Sequence, residues 1–252
     1  TYYVMRILPR MMRRLTRVIS VSQSTRKDLE DYARVDPAKI RVSHNGADLG
    51  RFFPRDRAAA KAQVGRELGI PPDFILYIAR LEHPGKNHVM LLEAFAKLRA
   101  DTELPHKLVF VGSRWGGAEV IEARIRELGL EDLVIRPGFV SNETLPVLYA
   151  AADVLAFPSL FEGFGIPVLE AMASGTPVCA SDVSSIPEVV GDAGLLFDPQ
   201  DPVAIAEALG RILLDPALRE RLVALGLARA PLFSWDTAAA EVLEELRRVA
   251  GA

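Results

Sequence analysis

From Phe74 onward, short apolar runs alternate with helix-length stretches, and this alternation restricts the fold more than any other feature. Strand-sized runs lie at 74–79, 107–111, 133–136, 154–157, 178–180 and 195–197. Helical spacing fills the gaps at 87–98, 118–128, 143–151, 167–173 and 186–190, and a further helix at 203–214 closes the series. Strands joined through helices need crossover connections, which are right-handed and leave the strands parallel. The expected fold class is therefore α/β, a doubly wound parallel sheet with helices on both faces. Its ligand crevice lies outside the C-terminal strand ends, where the first and fourth strands of the series flank the reversal of winding.

The loop after the fourth strand is Phe161-Glu162-Gly163-Phe164-Gly165-Ile166-Pro167-Val168-Leu169-Glu170. Gly163 and Gly165 admit backbone geometries and close approaches that a Cβ forbids. Pro167 suits a first helical turn, and a helix start aims N–H groups and partial positive charge at an anion such as phosphate. Glu162 and Glu170 flank that anion site, where carboxylates serve as acceptors for ribose or sugar hydroxyls. Each such charged hydrogen bond contributes about 1.5–3 kcal/mol. An anion grip beside two hydroxyl acceptors spells a nucleotide-sugar. A Gly-x-Gly before a helix, with a Glu favoured by the dipole alone, is the plainer reading of the same residues.

The loop after the first strand, 79–87, supplies Arg80 and Lys86 at the same sheet edge. A guanidinium fork and an ammonium point charge there can converge on one diphosphate with the glycine loop. Otherwise they are solvated cations, paired with Glu82 or with nothing. In the following loops, Gly112 permits close approach and Arg114 is a phosphate or acceptor candidate or a plain turn residue. The backbone at Val140 is placed to hydrogen-bond a base, with Leu145 packing on it. Glu188 either caps its own helix or closes the site, and Asn45-Gly46 reads as turn chemistry.

Residues 2–16 read as a basic amphipathic helix, followed by a strand at 18–22, a helix at 24–34 capped by Ser24, and a strand at 40–43. This segment is too small to bury its own faces, and it reads as the end of a domain whose beginning is absent. Residues 1–27 hold seven basic side chains and no acidic one, against a net charge of −3 for the chain. That overall balance gives no pull toward nucleic acid. The basic helix reads either as a surface helix packed on missing structure or as a peripheral contact with an anionic membrane through Arg10, Arg13, Arg14 and Arg17. Cys179 is the single cysteine and sits in an apolar run, so neither a disulfide framework nor a thiolate metal site is expected. The four histidines show no zinc-like spacing. With no signal-like leader and no apolar run of membrane length, the expected setting is cytoplasmic, with peripheral attachment at the inner membrane surface as the membrane reading.

Taken together, Arg80…Lys86-Asn87, Gly138-Phe139-Val140, the 162–171 loop with its intact Glu-x₇-Glu, and Pro187-Glu188-Val189-Val190 resemble the C-terminal half of a GT-B retaining glycosyltransferase. The family is the glycosyl transferases group 1, and the likeness runs from about Val18 to the C-terminus. The resemblance implies a Rossmann-like nucleotide-sugar-binding domain at 53–230, preceded at 1–52 by the tail of a truncated N-terminal Rossmann-like domain plus linker. A C-terminal helix at 231–252 is then left without its partner. It implies transfer of a sugar from a nucleotide-diphosphate sugar to an unidentified acceptor, with retention, and with no metal or other cofactor. By the same resemblance, Arg80, Lys86 and Glu162 act in catalysis. Gly163, Phe164, Gly165, Glu170, Val140 and Leu145 bind the donor. A non-catalytic nucleotide-sugar-binding module and a sugar-nucleotide epimerase of the same architecture stand as alternatives.

Overall fold

A small amino-terminal unit leads into the long alternation. In the computed structural model, which describes residues 7–251, the unit comprises α1 (Leu8–Arg14), β1 (Val18–Ser20), α2 (Gln23–Asp31) and β2 (Ile40–Val42). Any part of the basic helix before residue 7 lies outside the described residues. β1 and β2 pair in parallel, and Val18, Leu29, Ala33, Val35 and Ile40 form a small core of their own. The cap of α2 is Ser22, not Ser24 as expected: Ser22 Oγ accepts the Thr25 N–H, so the helix starts earlier.

α3 (Arg57–Leu68) follows, with Asp56 at its start and Gly69 left-handed at its end. Then come β3 (Phe74–Ile78), α4 (His88–Asp101), β4 (Lys107–Val111), α5 (Ala118–Glu127), β5 (Val134–Gly138), α6 (Leu145–Ala151) and β6 (Val154–Phe157). The series closes with α7 (Ile166–Ala173), β7 (Val178–Ser181), α8 (Ile186–Val190), β8 (Gly194–Phe197), α9 (Pro202–Leu214), α10 (Pro216–Arg229) and α11 (Trp235–Ala250). The six strands β3 to β8 form one parallel sheet in the order β5-β4-β3-β6-β7-β8. Every residue of β6 and β7 is buried, which is why these strands read as unbroken apolar runs. Cys179 lies in this core, as its apolar setting implied.

The expected adjacency holds, since β3 pairs directly with β6 and the winding reverses between them. The loops after these two strands therefore share one crevice at the C-terminal edge. The solitary α11 expected from the sequence is a different matter. α11 packs across the amino-terminal unit through Arg17–Glu245 at 3.4 Å, Arg41–Glu241 at 3.7 Å and a Ser43 Oγ bond to the Ala238 carbonyl at 3.5 Å. Ala47 pairs with Ser234 in a parallel bridge. So the two ends of the described chain meet, and Glu245 is buried between them with Arg17 and Arg248 as partners.

Candidate functional site

A cleft of about 580 Å³ opens at the β3–β6 edge, walled by the loops after β3, β4, β5 and β6 and by two residues of the amino-terminal unit and its linker, Val21 and Asn45. Stitching between the first and fourth of those loops fixes its floor. Leu160 N–H bonds to the Gly85 carbonyl at 3.0 Å, and Asn87 Nδ2 donates to the carbonyls of Pro158 at 3.0 Å and Pro199 at 2.7 Å. Buried Tyr77 donates its hydroxyl to the Lys86 carbonyl at 2.6 Å and contacts Ser159 Oγ at 3.2 Å. Burial holds that phenol un-ionised, well above its ordinary range. These contacts place the start of α4, and with it Lys86, against the glycine loop.

Lys86 Nζ reaches Glu162 Oε1 at 2.7 Å, and both side chains are largely covered. Glu162 is held from its backbone as well: Ser184 Oγ accepts its N–H at 3.2 Å, while Ser184 and Ser185 donate to its carbonyl at 2.6 and 2.9 Å. Gly165, at φ +107°, is the residue before α7, and it turns the chain into that helix. A Cβ there would stand 2.8 Å from Ile186 Cδ1. Gly163 departs from expectation, for it has no left-handed φ, and an added Cβ would meet Val21 Cγ2 at an ordinary 3.7 Å. Its value to the loop is therefore not conformational. Phe164 and Gly165 line the cleft, and among the described residues their amides have no protein acceptor. Two buried donors at the start of a helix, beside an ammonium, form an anion-binding arrangement.

Arg80, Val140 and Leu145 also line the cleft. Arg80 is half-exposed, pairs with Glu82 at 2.9 Å and lies over the Trp115 ring at 4.7 Å. Its guanidinium is thus engaged between Glu82 of the loop after β3 and Trp115 of the loop after β4. Arg114 is taken up by Glu122. Glu170 is not a wall of the cleft, but it shares a helix face with Ile166 and Pro167, which are. Its Oε2 accepts the hydroxyl of buried Tyr149 at 2.8 Å, and burial raises the carboxyl pKa above its ordinary value. Glu188 neither caps α8 nor enters the cleft. Its carboxylate takes the Gln23 N–H and meets His44 Nε2.

A family model described as glycosyl transferases group 1 matches residues 64–226, and a second, Glycosyltransferase Family 4, matches 1–51. The chain belongs to the glycosyl transferases group 1 family. Among curated relatives of this family member, O-antigen chain mannosyltransferase B of Escherichia coli is 41% identical over 207 residues, covering 82% of this chain and 54% of its own. Among solved structures, sucrose-phosphate synthase from Thermosynechococcus elongatus superimposes with a TM-score of 0.86 at 32% identity, covering all of this chain and 62% of that one. HepE of Anabaena, solved in complex with UDP and glucose, gives a TM-score of 0.86 at 25% identity, over 96% of this chain and 66% of that one. The group 1 chain spans about half the length of the curated relatives it matches.

Several residues that shape this group 1 cleft escaped the sequence reading. Ser184 and Ser185 hold Glu162, Tyr149 holds Glu170, Thr25 Oγ1 donates to the Gly163 carbonyl at 3.2 Å, and Asn45 forms wall. Each acts through a partner at least 20 residues away or through the cleft itself, and no local spacing announces that.

Proposed function

We propose that this chain carries the donor site of a glycosyltransferase that moves a sugar from a nucleotide-diphosphate sugar to an acceptor hydroxyl, with retention and without a metal. The observation that carries the reading is the Lys86–Glu162 pair at 2.7 Å beside the amides of Phe164 and Gly165, which have no acceptor among the described residues, at the β3–β6 reversal. Relatives named as mannosyl- and glycosyltransferases, and a UDP-bound structural neighbour, support it.

In this reading Lys86, Arg80 and the two amides take the diphosphate, and Glu162 accepts hydroxyls of the donor sugar. Glu170 takes the ribose hydroxyls, and the backbone at Val140, with Leu145 against it, receives the base. The anomeric C–O bond breaks and its electron pair moves to the diphosphate oxygen, where the preorganised cations meet the new charge. The acceptor oxygen bonds on the face the diphosphate leaves and gives up its proton. The non-catalytic module differs in one measurable respect, since it binds the donor and forms no product.

The test is a thermal-shift screen of UDP-, GDP- and ADP-sugars followed by calorimetry and product analysis. A donor at 100 times its Kd adds about 2.7 kcal/mol to stability. Arg80→Ala with Lys86→Ala is expected to weaken the donor at least tenfold per lost charged contact. No shift with any sugar nucleotide, or equal binding in the double variant, overturns the reading.

Peripheral contact with an anionic bilayer belongs to the same proposal. α1 buries none of its residues and exposes Met11, with Leu15 exposed just after it, beside Arg14. Arg13 and Arg17 instead turn inward to the carbonyls of Ala33 and Ala38. Co-sedimentation with neutral and anionic liposomes tests it, and equal binding to both dismisses it. No helix of the described residues is long and apolar enough to cross a membrane.

A further inference from the structure

We propose that Glu188 is a positioning residue, which fastens the amino-terminal unit to α8 beside the glycine loop and so completes the cleft without entering it; the functional part of this rests on the donor-site reading above. Three observations carry it. First, both oxygens of the Glu188 carboxylate receive the Gln23 N–H, at 3.0 and 2.9 Å, and Oε1 meets His44 Nε2 at 2.6 Å. A carboxylate at the start of α2 answers the positive end of that helix as well as its first orphan N–H. Second, the parts that Glu188 grips are next to cleft wall: Val21 lies two residues before Gln23, and Asn45 follows His44. Third, a parallel tie runs from the same helix to the loop itself, Thr25 Oγ1 to the Gly163 carbonyl at 3.2 Å, and the His44 ring stacks near Phe164 at 5.9 Å.

Glu188 is in turn rigidly based. Arg229 donates through Nη2 to the Glu188 carbonyl at 2.9 Å and through Nε to the Val189 carbonyl at 2.6 Å. The carboxylate therefore stands on a fixed helix and reaches across to two separate points of the other unit. Removing it leaves the Thr25 hydroxyl and the α11 contacts, which hold the unit near but not in register.

Glu188→Ala and Glu188→Gln test this by hydrogen exchange and by calorimetry with UDP, GDP and ADP. In Glu188→Ala, amides in residues 18–46 are expected to exchange about tenfold faster or more, because a charge-assisted contact is lost from a local opening equilibrium. Strands β3 to β8 keep their protection. Nucleoside diphosphate affinity stays within a few fold, since Lys86 and Arg80 are untouched, while turnover of the donor falls. Glu188→Gln still accepts the Gln23 N–H and restores part of the protection. Should Glu188→Ala fail to fold, His44→Gln carries the same expectation for residues 18–46. Unchanged exchange there, or acceleration spread evenly through the sheet, overturns the proposal. Loosened exchange in a chain whose wild type binds none of UDP, GDP and ADP sinks the donor-site reading and leaves the fastening role standing.

Discussion

Lys86 and Glu162 neutralise each other at 2.7 Å, so an anion that takes the ammonium competes with the carboxylate for it. A bare nucleoside diphosphate takes the ammonium and strands the carboxylate. A sugar-bearing donor offers hydroxyls to Glu162 at the same moment, which offsets that loss. Glu162→Gln is thus expected to bind UDP or GDP about three- to tenfold more tightly than wild type, from roughly 1 kcal/mol of released pairing. The preference for the sugar-bearing form over the bare one shrinks; calorimetry that finds both ligands weakened would refute this. His88 gives a pH prediction. Its ring lies between Tyr77 and Phe110, at 4.7 and 4.9 Å, and burial pushes its pKa down to about 3 against a smaller opposing pull from the Glu82 backbone. Between that value and the unfolded 6.5, the unfolded chain binds the extra proton. Stability is complete above about pH 6.5 and declines as pH falls toward 3, by up to about 1.4 kcal/mol per pH unit. His88→Leu should flatten that acid limb in urea titrations at pH 5 and 7; an unaltered limb assigns the acid sensitivity elsewhere.

At the scale of elements, the β6–α7 loop separates two uses of glycine. Gly165→Ala has to hold φ +107° and displace Ile186 Cδ1, so a loss of about 1–3 kcal/mol is expected in denaturant melts. Gly163→Ala meets neither obstacle and should keep stability within about 0.5 kcal/mol while weakening the donor by filling space a ligand approaches. Equal destabilisation by the two changes would contradict this. The order and kind of elements from β3 to α10 were legible because each buried strand is a short apolar run between glycines, prolines and helical spacing. The adjacency of β3 and β6 was legible too, since right-handed crossovers leave few arrangements. Element ends were less so: Ser22 and Ser24 are equivalent letters, and the geometry around the Thr25 N–H chose between them. Glu188 read either as a cap for α8, where the dipole favours it, or as closing the site; it does not cap α8, for its carboxylate is spent on Gln23, 165 residues away. Lys86 and Arg80 were legible as cleft residues and Glu82 as a partner for them, but that Lys86 takes Glu162 while Arg80 lies over Trp115 is settled by side-chain packing that spacing does not encode.

For the whole molecule, the decisive feature is that α11 returns to the amino-terminal unit. Among the described residues the unit's own core has five buried apolar side chains, too little to stand by itself. Deleting residues 235–252 is expected to unprotect 18–46 while the six-stranded sheet keeps a separate cooperative melt, visible as a preserved main transition by calorimetry. Loss of the main transition would show that the sheet depends on α11. Two segments cross between the bodies, one near Ala47 and one near Ser234, and they lie side by side in a parallel bridge, with Gly46 pressed so close to Trp235 that a Cβ would fall 2.2 Å from its nitrogen. A single crossing strand would act as a swivel. A two-ply ribbon resists torsion, so any opening of the cleft would swing Val21 and Asn45 along a single arc.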